Sequence, residues 1–109
     1  MGAGFMNIEI KEAAIEQLLK VNYKENEGVR IEAIYVGSCS IYVEHELKID
    51  NKNEDDERFI IAGVPILISS ESKKHLPDKV FLNYSDGLGY KLYSDDETLR
   101  YNLQLKRVN

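Results

Sequence analysis

At 109 residues the chain has the length of one domain, and its 43% apolar content is enough for a core without disulfides or bound metal. Nineteen acidic residues against 14 basic set the net charge at −5, which argues against broad binding to a phosphate backbone. No apolar run is long enough to cross a membrane as a helix, and the single cysteine excludes an internal disulfide.

Residues 1–5 lack the charged and apolar regions of a signal peptide and read as a leader, so one domain is expected over 6–109. With no export pattern and one thiol, a reducing cytoplasm is the expected compartment. Asn7-Ile8-Glu9-Ile10 alternates as a short strand. Residues 11–22 place Ala14, Ile15, Leu18 and Leu19 at helical spacing, with no capping side chain ahead of Glu12. Residues 24–28 are polar, end in glycine and read as a helix stop and loop. Residues 29–36 alternate at first. Ile34 and Val36 then make the second face apolar as well, so the strand is expected to enter a covered region.

After the loop at 37–40 comes the clearest strand: Ile41, Val43, His45, Leu47 and Ile49 on one face, Tyr42, Glu44, Glu46 and Lys48 on the other. Residues 50–58 are charged or amide with no apolar anchor, the pattern of a mobile loop. Residues 59–68 form two apolar runs around a turn at Gly63, with Pro65 pushing its strand toward an edge. Ser69 or Ser70 caps a short helix that stops before Pro77. Strands follow around Val80 to Tyr84 and Tyr90 to Tyr93, joined by the Asp86-Gly87 turn. A last strand alternates through Leu99, Tyr101, Leu103 and Leu105. The predicted class is α+β, mainly β: a small antiparallel sandwich or flattened barrel with one long and one short helix.

Chemistry is sparse. Cys39, in Gly37-Ser38-Cys39-Ser40, is the one soft ligand, and a Gly/Ser loop leaves its thiol little crowded. Against that stands a small, half-buried apolar side chain with no chemistry. His45 falls on the apolar face, where a histidine is usually a core residue whose ring nitrogens find backbone or carboxylate partners. The sharper alternative makes it a metal ligand or a base beside Cys39. His75 reads as a surface residue at a helix end, and Asp95-Asp96-Glu97 as a solvated acidic turn without the spacing of a calcium loop. The chain has no Cys-x-x-Cys, His-Glu-x-x-His, P-loop or dinucleotide fingerprint, so no catalytic residue is expected. The seven tyrosines are not interleaved with basic residues, which suits core and rim roles rather than base stacking.

The order of elements resembles the HesB-like family of A-type iron–sulfur cluster assembly and carrier proteins. The likeness rests on residues 6–14, on Gly28-Val29-Arg30-Ile31 followed by Gly37-Ser38-Cys39-Ser40, on residues 61–68, and on residues 86–92. The resemblance implies a HesB-like domain that often forms homodimers, partners among the cluster assembly proteins, and iron or an Fe–S cluster held by three cysteines. Only the first carries over, onto Cys39; Leu99-Arg100-Tyr101-Asn102-Leu103-Gln104 stands where the Cys-x-Cys pair would be. Four ligands, usually thiolates, hold a typical cluster. One Cys39 per chain therefore implies weak binding in a dimer, with His45, a carboxylate or glutathione as extra donor. The other expectation is a metal-free protein-interaction module on the same fold. Neither nucleic acid nor membrane is an expected partner.

Overall fold

Local alternation becomes nine strands and two helices in a computed structural model that describes residues 6–37 and 42–108. In chain order these are β1 (Asn7–Ile10), α1 (Glu12–Leu19), β2 (Glu27–Val36), β3 (Tyr42–Asn51), β4 (Asp56–Ile61) and β5 (Val64–Ser69). Then come α2 (Ser70–Lys74), β6 (Lys79–Ser85), β7 (Gly89–Tyr93), β8 (Thr98–Leu103) and β9 (Leu105–Arg107). One sheet has the order β1-β6-β7-β8 and the other β4-β5-β2-β3-β9. The two sheets share one core and do not close into a barrel. Ile8, Ile10, Val80, Leu82 and Leu92 come from the first sheet, Val29, Ile31, Leu47, Ile66 and Ile68 from the second, and Ala14 and Leu18 from α1.

The mainly-β class holds, but the sheets are mixed rather than antiparallel. β1 pairs with β6, β2 with β5 and β3 with β9, all in parallel. The hairpin around Gly63 forms as expected. Ala62 and Gly63 both take positive φ, 52° and 85°, the backbone that a two-residue turn between twisted strands requires. Pro65, however, stands in an interior strand. β5 lies between β4 and β2, and Pro65 precedes Ile66 and Leu67, the residues that pair with β2. Helix α1 is shorter than its periodicity suggested. Lys11 at its start supplies no side-chain cap, and Lys20 and Val21 close its end with tighter bonds to Gln17 and Leu18. Ser69 caps α2 by accepting from the Ser72 N–H at 3.1 Å.

The largest departure concerns residues 50–58. Asp50 and Asn51 extend β3, and Asp56 opens β4 as a buried carboxylate. The Arg30 guanidinium on β2 donates to both Asp56 oxygens at 2.5 and 2.7 Å, to Asp50 at 3.0 Å and to the Asn51 carbonyl at 2.9 Å. The Asn53 N–H completes Asp56 at 2.7 Å. Burial alone would raise the Asp56 pKa, but these hydrogen bonds more than offset it and hold the carboxyl below its usual value. The segment is polar because its anchor is an ion pair rather than a hydrophobic side chain.

Residues 24–28 differ in the same way. Glu27 and Gly28 already belong to β2, and the buried Glu27 carboxylate accepts from the Lys24 N–H at 2.9 Å and from Arg107 at 2.5 Å. That contact ties β9 to the start of β2. The last alternating run is two strands, not one: β8 pairs with β7 in one sheet and β9 with β3 in the other, parting at Gln104. Gly89, at φ 82°, makes the parting possible. A Cβ there would stand 2.7 Å from the Leu103 carbonyl oxygen.

Candidate functional site

The β2–β3 ladder runs from Glu27↔Asn51 at its base to Val36↔Tyr42 at its far end. Cys39, the expected iron or cluster ligand, lies in residues 38–41, outside the described residues. The strand ends on either side of it are not covered. Ile34, Tyr35 and Tyr42 are 40%, 49% and 57% exposed, so the doubly apolar pattern of residues 34–36 marks a surface rather than a second buried face. Tyr35 stacks on His75 with ring centroids 5.5 Å apart. His75 is thus half-buried against an aromatic ring, with its Nε2 3.2 Å from the Glu71 carboxylate, where a simple surface residue was expected.

His45 sits on the inner face of β3, as its alternation requires, opposite Ala33 and three register pairs in from the ladder's end. At about 3.3 Å per residue that is about 10 Å. The imidazole is buried, but its Nε2 has no hydrogen-bond partner among the described residues. The expectation of a satisfied core histidine therefore fails at that atom. Desolvation, then the positive charge of Arg100, pushes the His45 pKa below its usual value, with Glu97 pulling weakly the other way. Desolvation and Arg100 both favour the neutral ring over the charged one. The Cys39 half of the expected Cys39–His45 ligand pair is outside the described residues.

What surrounds His45 was not foreseen. β9 runs beside β3 only over Leu47, Lys48 and Ile49. On the N-terminal side of Gln104 the chain lies in the other sheet as β8, leaving a cleft between β3 and β8. One part is bordered by residues 44–48 and by Arg100, Asn102, Gln104 and Lys106. The other is bordered by Val43, His75, Pro77, Glu97 and Leu99. His45 borders both. The only sequence signal for the cleft was Gln104, polar between Leu103 and Leu105. Asp95, Asp96 and Glu97 stay exposed in a tight turn whose N–H groups at Asp96 and Glu97 donate to Ser94 Oγ, as the acidic-turn reading expected.

Among the described residues no three or more His, Cys, Asp or Glu side chains converge as a metal ligand set. With one thiol in the sequence, one copy of the chain does not supply four thiolate ligands. No helix of the described residues is long and apolar enough to cross a membrane.

Comparison with known proteins bears on the family. No curated protein sequence matches the chain. Two solved structures share its fold. One is a protein from Lactobacillus acidophilus ascribed to Fe-S biosynthesis: TM-score 0.69, 18% identity, over 94% of this chain and 90% of that one. The other is a protein from Lactobacillus salivarius, also ascribed to Fe-S biosynthesis and described as having a novel fold: TM-score 0.67, 17% identity, over 94% and 98%. The model of the iron–sulphur cluster biosynthesis family matches residues 6–107. The chain belongs to the iron–sulphur cluster biosynthesis family.

Proposed function

We propose that this protein serves iron–sulfur cluster assembly in the cytoplasm as a non-enzymatic carrier, holding iron or a cluster weakly as cargo through Cys39. The observation that carries this reading is the family match across residues 6–107, a span that includes the chain's one thiol. Two copies would bring two thiolates, and a small-molecule thiol, His45 or carboxylates would complete the set. The exposed Ile34, Tyr35 and Tyr42 support a dimer by offering apolar surface beside residue 39 for a second copy to bury. Such a site is labile, which suits a protein that passes its cargo to other assembly proteins.

The test is anaerobic reconstitution with iron and sulfide, read by ultraviolet–visible absorption on the wild type and on Cys39→Ala. Charge-transfer bands in the wild type that vanish in the variant are the expected result. Featureless spectra from both would remove cargo binding. That outcome would leave the second reading, a metal-free interaction module on the same fold.

A further inference from the structure

We propose that the cleft between β3 and β8 is a strand-addition site that takes an extended, carboxylate-bearing segment of a partner protein. The proposal stands apart from the cargo reading and does not require Cys39.

The first argument is the backbone. Main-chain groups of a strand point alternately to its two neighbours. The Ile49 carbonyl accepts from the Val108 N–H at 2.9 Å on the β9 side. The two-residue repeat therefore aims the N–H and C=O of Leu47, His45 and Val43 the same way, away from β2. The partner strand agrees: Ala33, opposite His45, sends its N–H away from β3 to Ser72 Oγ at 3.0 Å. Since β9 stops at Leu47, no strand among the described residues pairs with Val43 and His45 on that side. The far wall, β8, is the edge strand of its own sheet. Backbone donors and acceptors repeating every second residue are met by another strand, which is how sheet edges capture peptides.

The second argument is charge. Arg100 borders the cleft and has no ion-pair partner among the described residues, although the chain carries an excess of acids. Glu44, Glu46 and Lys106, the last in register with Lys48, carry their side chains on the other face from His45, and Glu46 is paired there with Lys48 at 3.2 Å. The unpaired Arg100 guanidinium selects a carboxylate. The third argument is the buried His45 Nε2, a polar atom that an occupant's hydrogen-bonding group would satisfy.

The probe is a phage-displayed library of random peptides selected on the full chain, followed by a synthetic copy of the most enriched peptide read by fluorescence anisotropy. The expected peptide contains Asp or Glu and slows hydrogen exchange at Val43 and His45. It loses binding when its alternate amides are N-methylated, and binds Arg100→Glu about tenfold more weakly, the loss of one charge-assisted contact. Arg100 is exposed, so that variant is expected to fold as the wild type does. Failure to enrich any peptide overturns the proposal. So does a peptide indifferent to both N-methylation and Arg100→Glu. A dimer of the chain that disappears in Val43→Pro would also overturn it, because the occupant would then be a second copy.

Discussion

The two ends of the β2–β3 ladder solve the same problem in opposite ways. At the base, the side chain of Arg30 on β2 joins the end of β3 to the start of β4, and the guanidinium meets two carboxylates and a carbonyl. Glu27 and Arg107 then fasten β9 alongside. Toward the far end, β9 has gone, His45 keeps a buried nitrogen without a partner, and apolar side chains face solvent. A buried ion pair adds little net stability when complete, yet removing one partner is costly, so the base is rigid by mutual dependence. The far end carries what a stable monomer does not need. A buried polar atom without a partner among the described residues also occurs at the base, at Glu27 Oε2, so the exposed apolar surface is what sets the far end apart and marks where a domain meets something else.

Breaking the closed end is expected to have the largest effect. Asp56→Ala leaves the Arg30 guanidinium buried with half its partners and is expected to destabilise the fold by about 3–5 kcal/mol in urea unfolding. A loss below about 1 kcal/mol would mean that water reaches Arg30 and that the two ends do not differ as described.

The next effect is smaller and belongs to the open end. The folded-state pKa of His45 is lowered, so below its ordinary value of 6.5 the unfolded chain takes up the proton first. The stability it contributes is therefore complete above pH 6.5 and is lost as pH falls toward the lower, folded-state value. The slope is no steeper than about 1.4 kcal/mol per pH unit for one proton. His45→Gln removes this component, and urea midpoints compared between the two proteins from pH 7 to 5 are expected to converge as the pH falls. Parallel curves would show that His45 is hydrated and that the cleft is not a desolvated site. Glu27 and Asp56, whose pKa values are also lowered, act below their ordinary values of 4.5 and 3.8 and so leave this window clear.

Much of the closed architecture was legible because it rests on short-range rules. Alternation placed Val29, Ile31, Leu47 and Ile49 inward, Gly63 marked its turn, and Ser69 its cap. What sequence could not show depends on partners distant along the chain. Asp56 reads as solvated until it meets Arg30, 26 residues earlier. The Leu99 to Leu105 alternation conceals a bulge, since four residues from Arg100 to Leu103 oppose three from Leu92 to Tyr90, with Asn102 at φ 60°. The bulge turns Tyr101 out to solvent and precedes the change of sheet that opens the cleft. At the candidate site, sequence placed His45 on the correct face. That no strand among the described residues pairs with its backbone on the β9 side follows from where β9 ends, which no local pattern encodes. The His75–Tyr35 stack joins residues 40 positions apart and was illegible for the same reason.

Amide hydrogen exchange on the free chain, resolved by residue along β3, tests the contrast most directly. Leu47 and Ile49 are expected to exchange slowly, because their N–H groups enter the β9 ladder, while Val43 and His45, of the same parity on the same strand, exchange far faster. Equal protection at all four positions would mean that something already pairs with the far end of β3, and the open edge would not exist.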